Sequence, residues 1–268
     1  MQVKIGFGSV DMKGTYEPYG TVDDELLSQA MVADSGKDRA VWLMGDWYNW
    51  TIPATNMLRN IISRHTNFPY ERIFICSSEN HNSAQFPIKF DDEEQAAVIG
   101  NRLAESVKKA EQDARPAWMA LAVADVSHRF SSCRRKFIND ELGVFSFYGG
   151  ADAVVEGDRL KITDPVLGQI AVLCSEDPYP AYGGVERPLQ KIREYDAPEL
   201  HGEIYFDRPV DNLVHLLVFR DEYGKTIGSI IRFSAHVEGA HNCKDKYVVS
   251  AGYPGWARRK IEKELGGI

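Results

Sequence analysis

The sequence predicts an α/β protein: a central mixed β-sheet with flanking helices and two hairpin-loop-helix units. Three observations carry this. Short apolar strands alternate with helix patterns along most of the 268 residues, an order that yields a sheet covered by helices. A turn containing Gly and Lys joins two strands twice, at Ala33-Asp-Ser-Gly-Lys37 and at Arg220-Asp-Glu-Tyr-Gly-Lys225, and a polar loop and a helix follow each time. Two strands, at Arg72–Cys76 and Thr226–Ser234, run into loops that gather His, Glu, Ser and Asn. Loops beyond the carboxyl ends of strands are where ligands collect in open α/β sheets.

Taken in order, Val3–Phe7 is the first strand, and turn residues fill the stretch from Asp11 to Gly20. Gln29–Ala33 and Arg39–Met44 form the first hairpin. Thr51 and Pro53 open a helix on which Leu58, Ile61, Ile62 and His65 share a face. After the strand at Arg72–Cys76, Asp91-Asp-Glu-Glu94 starts a long helix with acids at its positive end. Its apolar stripe is Ile99, Leu103, Val107 and Ala110, and Trp118–Val123 is the strand that follows. From about 127 to 207, turn residues crowd the chain at Tyr148-Gly-Gly150, Asp177-Pro-Tyr-Pro180 and Tyr182-Gly-Gly184. Short strands such as Val154–Val155 and Gln169–Leu173 are expected there among long surface loops. That stretch reads as a loop-rich insertion, either cleft-shaping or decorative, within a single domain spanning 1–268. Leu213–Phe219 and Thr226–Ser234 make the second hairpin, and a helix runs from Tyr253 to about Leu265, stopped by Gly266-Gly267.

Composition excludes several classes of function. With 31 basic and 39 acidic side chains the net charge is −8, which speaks against nucleic acid as a partner. The basic runs Arg134-Arg135-Lys136 and Arg258-Arg259-Lys260 read as solvated faces. The four cysteines form no Cys-x-x-Cys pair, and Cys76 reads as a small core residue. No run of ~18 apolar residues is present, so no transmembrane segment is expected. The start, Met1-Gln-Val-Lys-Ile-Gly-Phe7, carries no signal-peptide pattern, and a cytoplasmic location is expected.

The chemistry concentrates in the two polar loops. Glu79 and His81 follow the first strand, and His236 and His241 follow the second. Imidazole and carboxylate suit zinc, and a catalytic zinc needs three protein ligands with one position open. Each residue also has a plainer reading. His81 in its Asn-rich loop is a metal ligand or a histidine bonded to backbone, Glu79 a ligand or a surface carboxylate, and His241 a further site residue or an exposed loop histidine. His236 closes an apolar strand, which favours a site role. Asp46 is an acceptor that orients a ligand histidine, or a cap. Trp47, Tyr48 and Trp50 are a substrate wall or a satellite hydrophobic cluster. His65 and His215 read as structural, and His128 and His201 carry no signal above loop composition.

Several stretches resemble the amino-terminal catalytic domain of neutral ceramidases and their shorter bacterial relatives. They are Ile5-Gly-Phe-Gly-Ser-Val-Asp11, Asp24 to Asp34 followed by Val41-Trp-Leu-Met-Gly-Asp46, Phe68 to Asn82, Phe233-Ser-Ala-His236, and Val249-Ser-Ala-Gly-Tyr-Pro-Gly-Trp-Ala-Arg-Arg259. The resemblance covers most of the chain outside the loop-rich middle. It implies a zinc-dependent hydrolase of amide bonds, in which the ion polarises the carbonyl and activates water. A small-molecule or lipid-like amide is the implied substrate. The sequence departs from the family at two positions: Glu79 stands where the family's first zinc histidine falls, and Gly252 where an aspartate is usual. The implied ligand set is therefore Glu79, His81 and His236 around Zn2+, with Asp46 and His241 as candidate catalytic residues. The second reading is a catalytically inactive homologue that binds a ligand or an interaction partner.

Overall fold

The structure, a computed structural model, describes residues 3–16, 21–83, 90, 93–126, 135–139, 143–146, 152–156, 159–164, 168–170, 211, 213–237 and 248–268. The chain forms two compact parts, Met1–Ala124 with Val214–Ile268, and Asp125–Leu213. The first begins with β1 (Lys4–Asp11), β2 (Thr21–Val22), β3 (Leu27–Asp34), β4 (Arg39–Gly45), α1 (Ile52–His65), β5 (Ile73–Ser77), α2 (Glu93–Asp113), β6 (Arg115–Pro116) and β7 (Trp118–Asp125). Five of these strands make a mixed sheet in the order β5-β4-β3-β1-β6, in which β4 and β5 are parallel and the other pairs antiparallel.

Alternation decides what each face of this sheet does. Ala30 and Val32 of β3, Val41 and Leu43 of β4, and Ile73 of β5 point to one face and are almost wholly buried. There they meet Leu58 and Ile62 of α1 and Ile99, Leu103 and Val107 of α2. Each full burial of such a side chain contributes about 1.5–3 kcal/mol. Gly6 and Gly8 let α2 lie on the backbone of β1, because a Cβ on them would stand 2.0 Å from Ala110 O and 2.3 Å from Ser106 O. The start of α1 follows the predicted signal: Thr51 Oγ1 accepts from Ala54 N–H at 3.4 Å, and Pro53 sits in the first turn.

The second part, Asp125–Leu213, contains the hairpin β8 (Arg135–Asn139) and β9 (Gly143–Ser146) and the antiparallel sheet β10 (Asp152–Glu156), β11 (Arg159–Asp164) and β12 (Gly168–Ile170). The loops expected around these strands, and the tail of the strand expected at Gln169–Leu173, lie outside the described residues.

The chain then completes the first part. β13 (Leu213–Arg220) and β14 (Thr226–Arg232) form the second hairpin, in a sheet ordered β14-β13-β7. β15 (Val248–Val249) pairs in parallel with β2, and α3 (Gly252–Leu265) follows. This sheet covers the opposite face of β1. Phe219 meets Phe7 with ring centroids 5.6 Å apart, and Ile5 and Ile227 join them in a second cluster. The α/β class read from the sequence holds, with both hairpins and the helix after each in place, while residues 238–247 of the second unit's loop lie outside the described residues. One residue is corrected: Cys76 lies on the face of β5 away from the helices, and its side chain is exposed rather than part of the core. Among the described residues no helix is long and apolar enough to cross a membrane.

Candidate metal centre

Backbone hydrogen bonds stitch three loops together at the carboxyl ends of β4, β5 and β14. Ser78 N–H donates to Gly45 O at 3.0 Å and Asn80 N–H to Trp47 O at 3.3 Å, so the loop after β5 rides on the loop after β4. It then crosses to the second hairpin unit: His81 N–H donates to Val237 O at 3.1 Å, and Ser250 N–H to Asn82 O at 3.0 Å. Asn80, with no exposed surface, is the hub. Its Nδ2 donates to Ser250 O at 2.7 Å and its Oδ1 accepts from Asn82 N–H at 3.0 Å. Sequence reasoning passed over Asn80. The available signal was a carboxamide between two candidate ligands, directly after a buried strand.

These bonds bring the predicted ligands together. His81 Nε2 and His236 Nε2 are 2.8 Å apart, and Glu79 Oε1 is 3.7 Å from His236 Nε2. One donor atom from each of the three residues lies within 4.8 Å of the others. A tetrahedral ion with bonds of ~2.0–2.1 Å sets its donors roughly 3.3 Å apart, and the 2.8 and 3.7 Å separations to His236 Nε2 bracket that spacing. Two imidazoles and a carboxylate leave one coordination position for water or substrate. Glu79 adopts φ +54°, the left-handed region that residues other than glycine seldom occupy. Such strain persists where neighbours over-determine the backbone, as Ser78 and Asn80 do here. Tyr48 lays its ring edge-on to His81, 4.7 Å between centroids.

Asp46 takes a different part from the one expected. Both carboxylate oxygens accept from Arg258 Nη1, at 2.9 and 2.8 Å, and Oδ2 also accepts from Leu27 N–H at 2.9 Å. It therefore anchors α3 to the end of β4 and does not orient a histidine. Burial pushes its carboxyl above the ordinary value, while Arg258 pulls the other way. Arg259 reaches Asp24 at 2.9 Å, and Asp24 in turn accepts from Ser250 Oγ. The run Arg258-Arg259 is thus a pair of inward clamps, not the solvated face its charge predicted. Trp47 is 1% exposed and belongs to the core with Trp50 packed on it, which leaves Tyr48 as the aromatic beside the ligands. Gly252 has φ +60°, and a Cβ there would stand 2.9 Å from Val237 Cγ1. That geometry suits glycine and strains any residue with a Cβ. His65 ends α1 in solvent, and His215 lies on β13 beside Arg232. His241, His128 and His201 lie outside the described residues.

Fold and site define a class: a layered α/β protein with a candidate metal centre of one carboxylate and two imidazoles, assembled from both hairpin units. The comparisons place the fold. No protein-family model and no curated protein matches the chain. Among solved structures, neutral ceramidase from Pseudomonas aeruginosa matches with a TM-score of 0.59 at 13% identity, over 99% of this chain and 36% of that one. A structure described as ceramidase complexed with C2 matches with a TM-score of 0.60, at the same identity and coverage. The fold is ceramidase-like, and the chain spans about a third of the length of these neighbours.

Proposed function

We propose that the protein is a metal-dependent hydrolase of N-acyl amide bonds, with Glu79, His81 and His236 holding a divalent ion such as zinc. The observation that carries this is the convergence of the three donors within 4.8 Å, from loops that are 155 residues apart in sequence between His81 and His236. A bound divalent ion supplies a water of lowered pKa and polarises an amide carbonyl. The chain's own residues supply the rest. His81 is held through its amide by Val237 O and through its ring by Tyr48. Glu79, half exposed, and His236, about a quarter exposed, open the site to solvent and substrate. Tyr48 offers an apolar edge for an acyl chain next to the ligands. The ceramidase-like fold supports a lipid-like amide as substrate.

The test is metal content together with turnover. Purified protein is expected to carry or take up close to one equivalent of zinc, His236→Ala to lose it, and hydrolysis of a fluorogenic N-acyl amide to follow occupancy. Protein that binds no divalent ion, with unchanged stability in chelator, refutes the hydrolase reading. The inactive-homologue reading then stands in its place.

A further inference from the structure

The two ligand-bearing segments are fixed by different means. Ser78–Asn82 is tied to its surroundings by the amides of Ser78 and Asn80 and by the Asn80 side chain. His236 follows β14 in the segment Phe233–Val237, which belongs to no strand or helix. A carbonyl is engaged on each side of it: Val237 O accepts from His81 N–H at 3.1 Å, and Ala235 O accepts from Tyr253 Oη at 2.5 Å. The first bond ties one ligand segment to the other. The second ties His236 to a helix.

Tyr253 is the second residue of α3, and this end of the helix is firmly set. Ser250 Oγ accepts from Gly252 N–H at 3.1 Å, and Pro254, the next residue, has its φ fixed by its ring. A Cβ on Gly252 would stand 2.9 Å from Val237 Cγ1 and 3.3 Å from Asn80 Oδ1, so the turn before Tyr253 lies against both ligand segments. The Tyr253 ring meets Phe233 edge-on, with centroids 6.3 Å apart. Gly252 and Tyr253 thus reach Phe233, Ala235 and Val237, on either side of His236. Further along α3, Arg258 grips Asp46, and Trp47 beside Asp46 accepts from Asn80 N–H. One helix therefore serves as the reference for all three ligands. Burial pushes the Tyr253 phenol above its usual value, so it is a donor at neutral pH.

We propose that Tyr253 is a positioning residue of the metal centre: its hydroxyl, through the Ala235 carbonyl, holds His236 where it shares an ion with His81 and Glu79. The proposal rests on the metal-binding reading of those three residues. Tyr253 acts on backbone one residue from the imidazole and is not itself a ligand. A ligand on an irregular segment has to be ordered when the ion binds, and a hold already in place removes that cost from the affinity.

Tyr253→Phe keeps the ring beside Phe233 and removes only the hydroxyl. In the metal-free variant the His81 amide is expected to exchange hydrogen roughly five- to tenfold faster, because its acceptor Val237 O lies on the loosened segment, while the Asn80 amide, bonded to Trp47 O, keeps its rate. Co2+ is the metal probe, read by its visible absorption. Its affinity is expected to fall roughly tenfold and its bands to change, with Tm lowered by no more than roughly 4 °C. Leu103→Ala is the contrast: it loses more stability, yet keeps the cobalt affinity and the His81-to-Asn80 exchange ratio of the wild type. The proposal is overturned by an unchanged His81 rate, by equal acceleration at Asn80, or by unchanged cobalt affinity in folded Tyr253→Phe. Wild-type protein that takes up no cobalt sinks the metal reading and this proposal with it. The exchange comparison tells the two failures apart, since a faster His81 amide shows that the hold exists and an unchanged one that it does not. Should Tyr253→Phe fail to fold, Phe233→Leu loosens the ring and keeps the hydroxyl. It is expected to move both readouts the same way by roughly twofold, and no movement overturns the proposal.

Discussion

Replacing Arg258 by Met tests whether the clamp between α3 and β4 sets the stability of the site. Arg258 is 12% and Asp46 6% exposed in the side chain, and the guanidinium supplies two of the three hydrogen bonds to the carboxylate. Met keeps the length and apolar stem of arginine, so the change removes the charge and its donors rather than the packing. A buried carboxylate left with the Leu27 amide alone costs about 3–5 kcal/mol. At ~2–4 °C per kcal/mol for a domain of this size, Tm falls by roughly 6–20 °C. Without Arg258 only the Leu27 amide and the charge of Arg259 oppose the rise that burial imposes on Asp46, and burial is the largest influence. The folded variant then holds its proton to higher pH than the unfolded chain, so its stability rises as pH falls toward the carboxylate range and drops as pH increases. Asp46→Asn with Arg258→Met removes both charges while an amide oxygen still receives the Leu27 N–H, and is expected to recover at least half the loss. Denaturant unfolding of the two single variants and the double variant measures the cycle. A single-variant cost below about 1 kcal/mol, or a double variant no more stable than Arg258→Met, refutes the reasoning.

Asn80→Ala orphans Ser250 O and Asn82 N–H in a buried place, at a cost of about 2–4 kcal/mol. Because these bonds fix the loop carrying His81, zinc affinity by competition with a chelator is expected to drop at least roughly tenfold. Gly252→Asp installs a side chain at φ +60° against Val237 and is expected to cost about 1–2 kcal/mol in denaturant unfolding. Leu103→Ala removes a wholly buried side chain between α2 and the sheet, and the same assay is expected to read about 2–5 kcal/mol with metal stoichiometry unchanged.

The fold was legible wherever one periodicity dominated. Thr51 with Pro53, the stripe Ile99, Leu103, Val107 and Ala110, and the two Gly-Lys turns all mark elements that the structure contains. Legibility failed where burial depends on what lies across a sheet. Cys76 sits in an apolar strand like its neighbours, yet only alternate residues of β5 meet the helices. Arg258 and Arg259 look like a solvated charge run because local sequence does not show that Asp46 and Asp24, more than 200 residues earlier, stand opposite them. Asn80 was invisible for the same reason. Its partners, Ser250 O and the Asn82 amide, are backbone groups, and backbone carries no residue signature.

The candidate site follows from how the two hairpin units meet. Glu79 and His81 belong to the first unit and His236 to the second, and among the described residues neither holds three converging donors by itself. What aligns them is a seam: His81 N–H on Val237 O, Ser250 N–H on Asn82 O, Asn80 on Ser250 O, and the Asp46–Arg258 clamp behind. Residues that hold the seam therefore govern metal affinity without touching metal. The converse also holds, because an ion that binds only when the seam is closed stabilises the closed fold, by about 2.7 kcal/mol at a hundredfold excess over Kd. Zinc is accordingly expected to raise the Tm of the wild-type protein and to rescue part of the Arg258→Met loss, and to do neither in His236→Ala. Equal stabilisation of all three by zinc places the bound ion outside the seam.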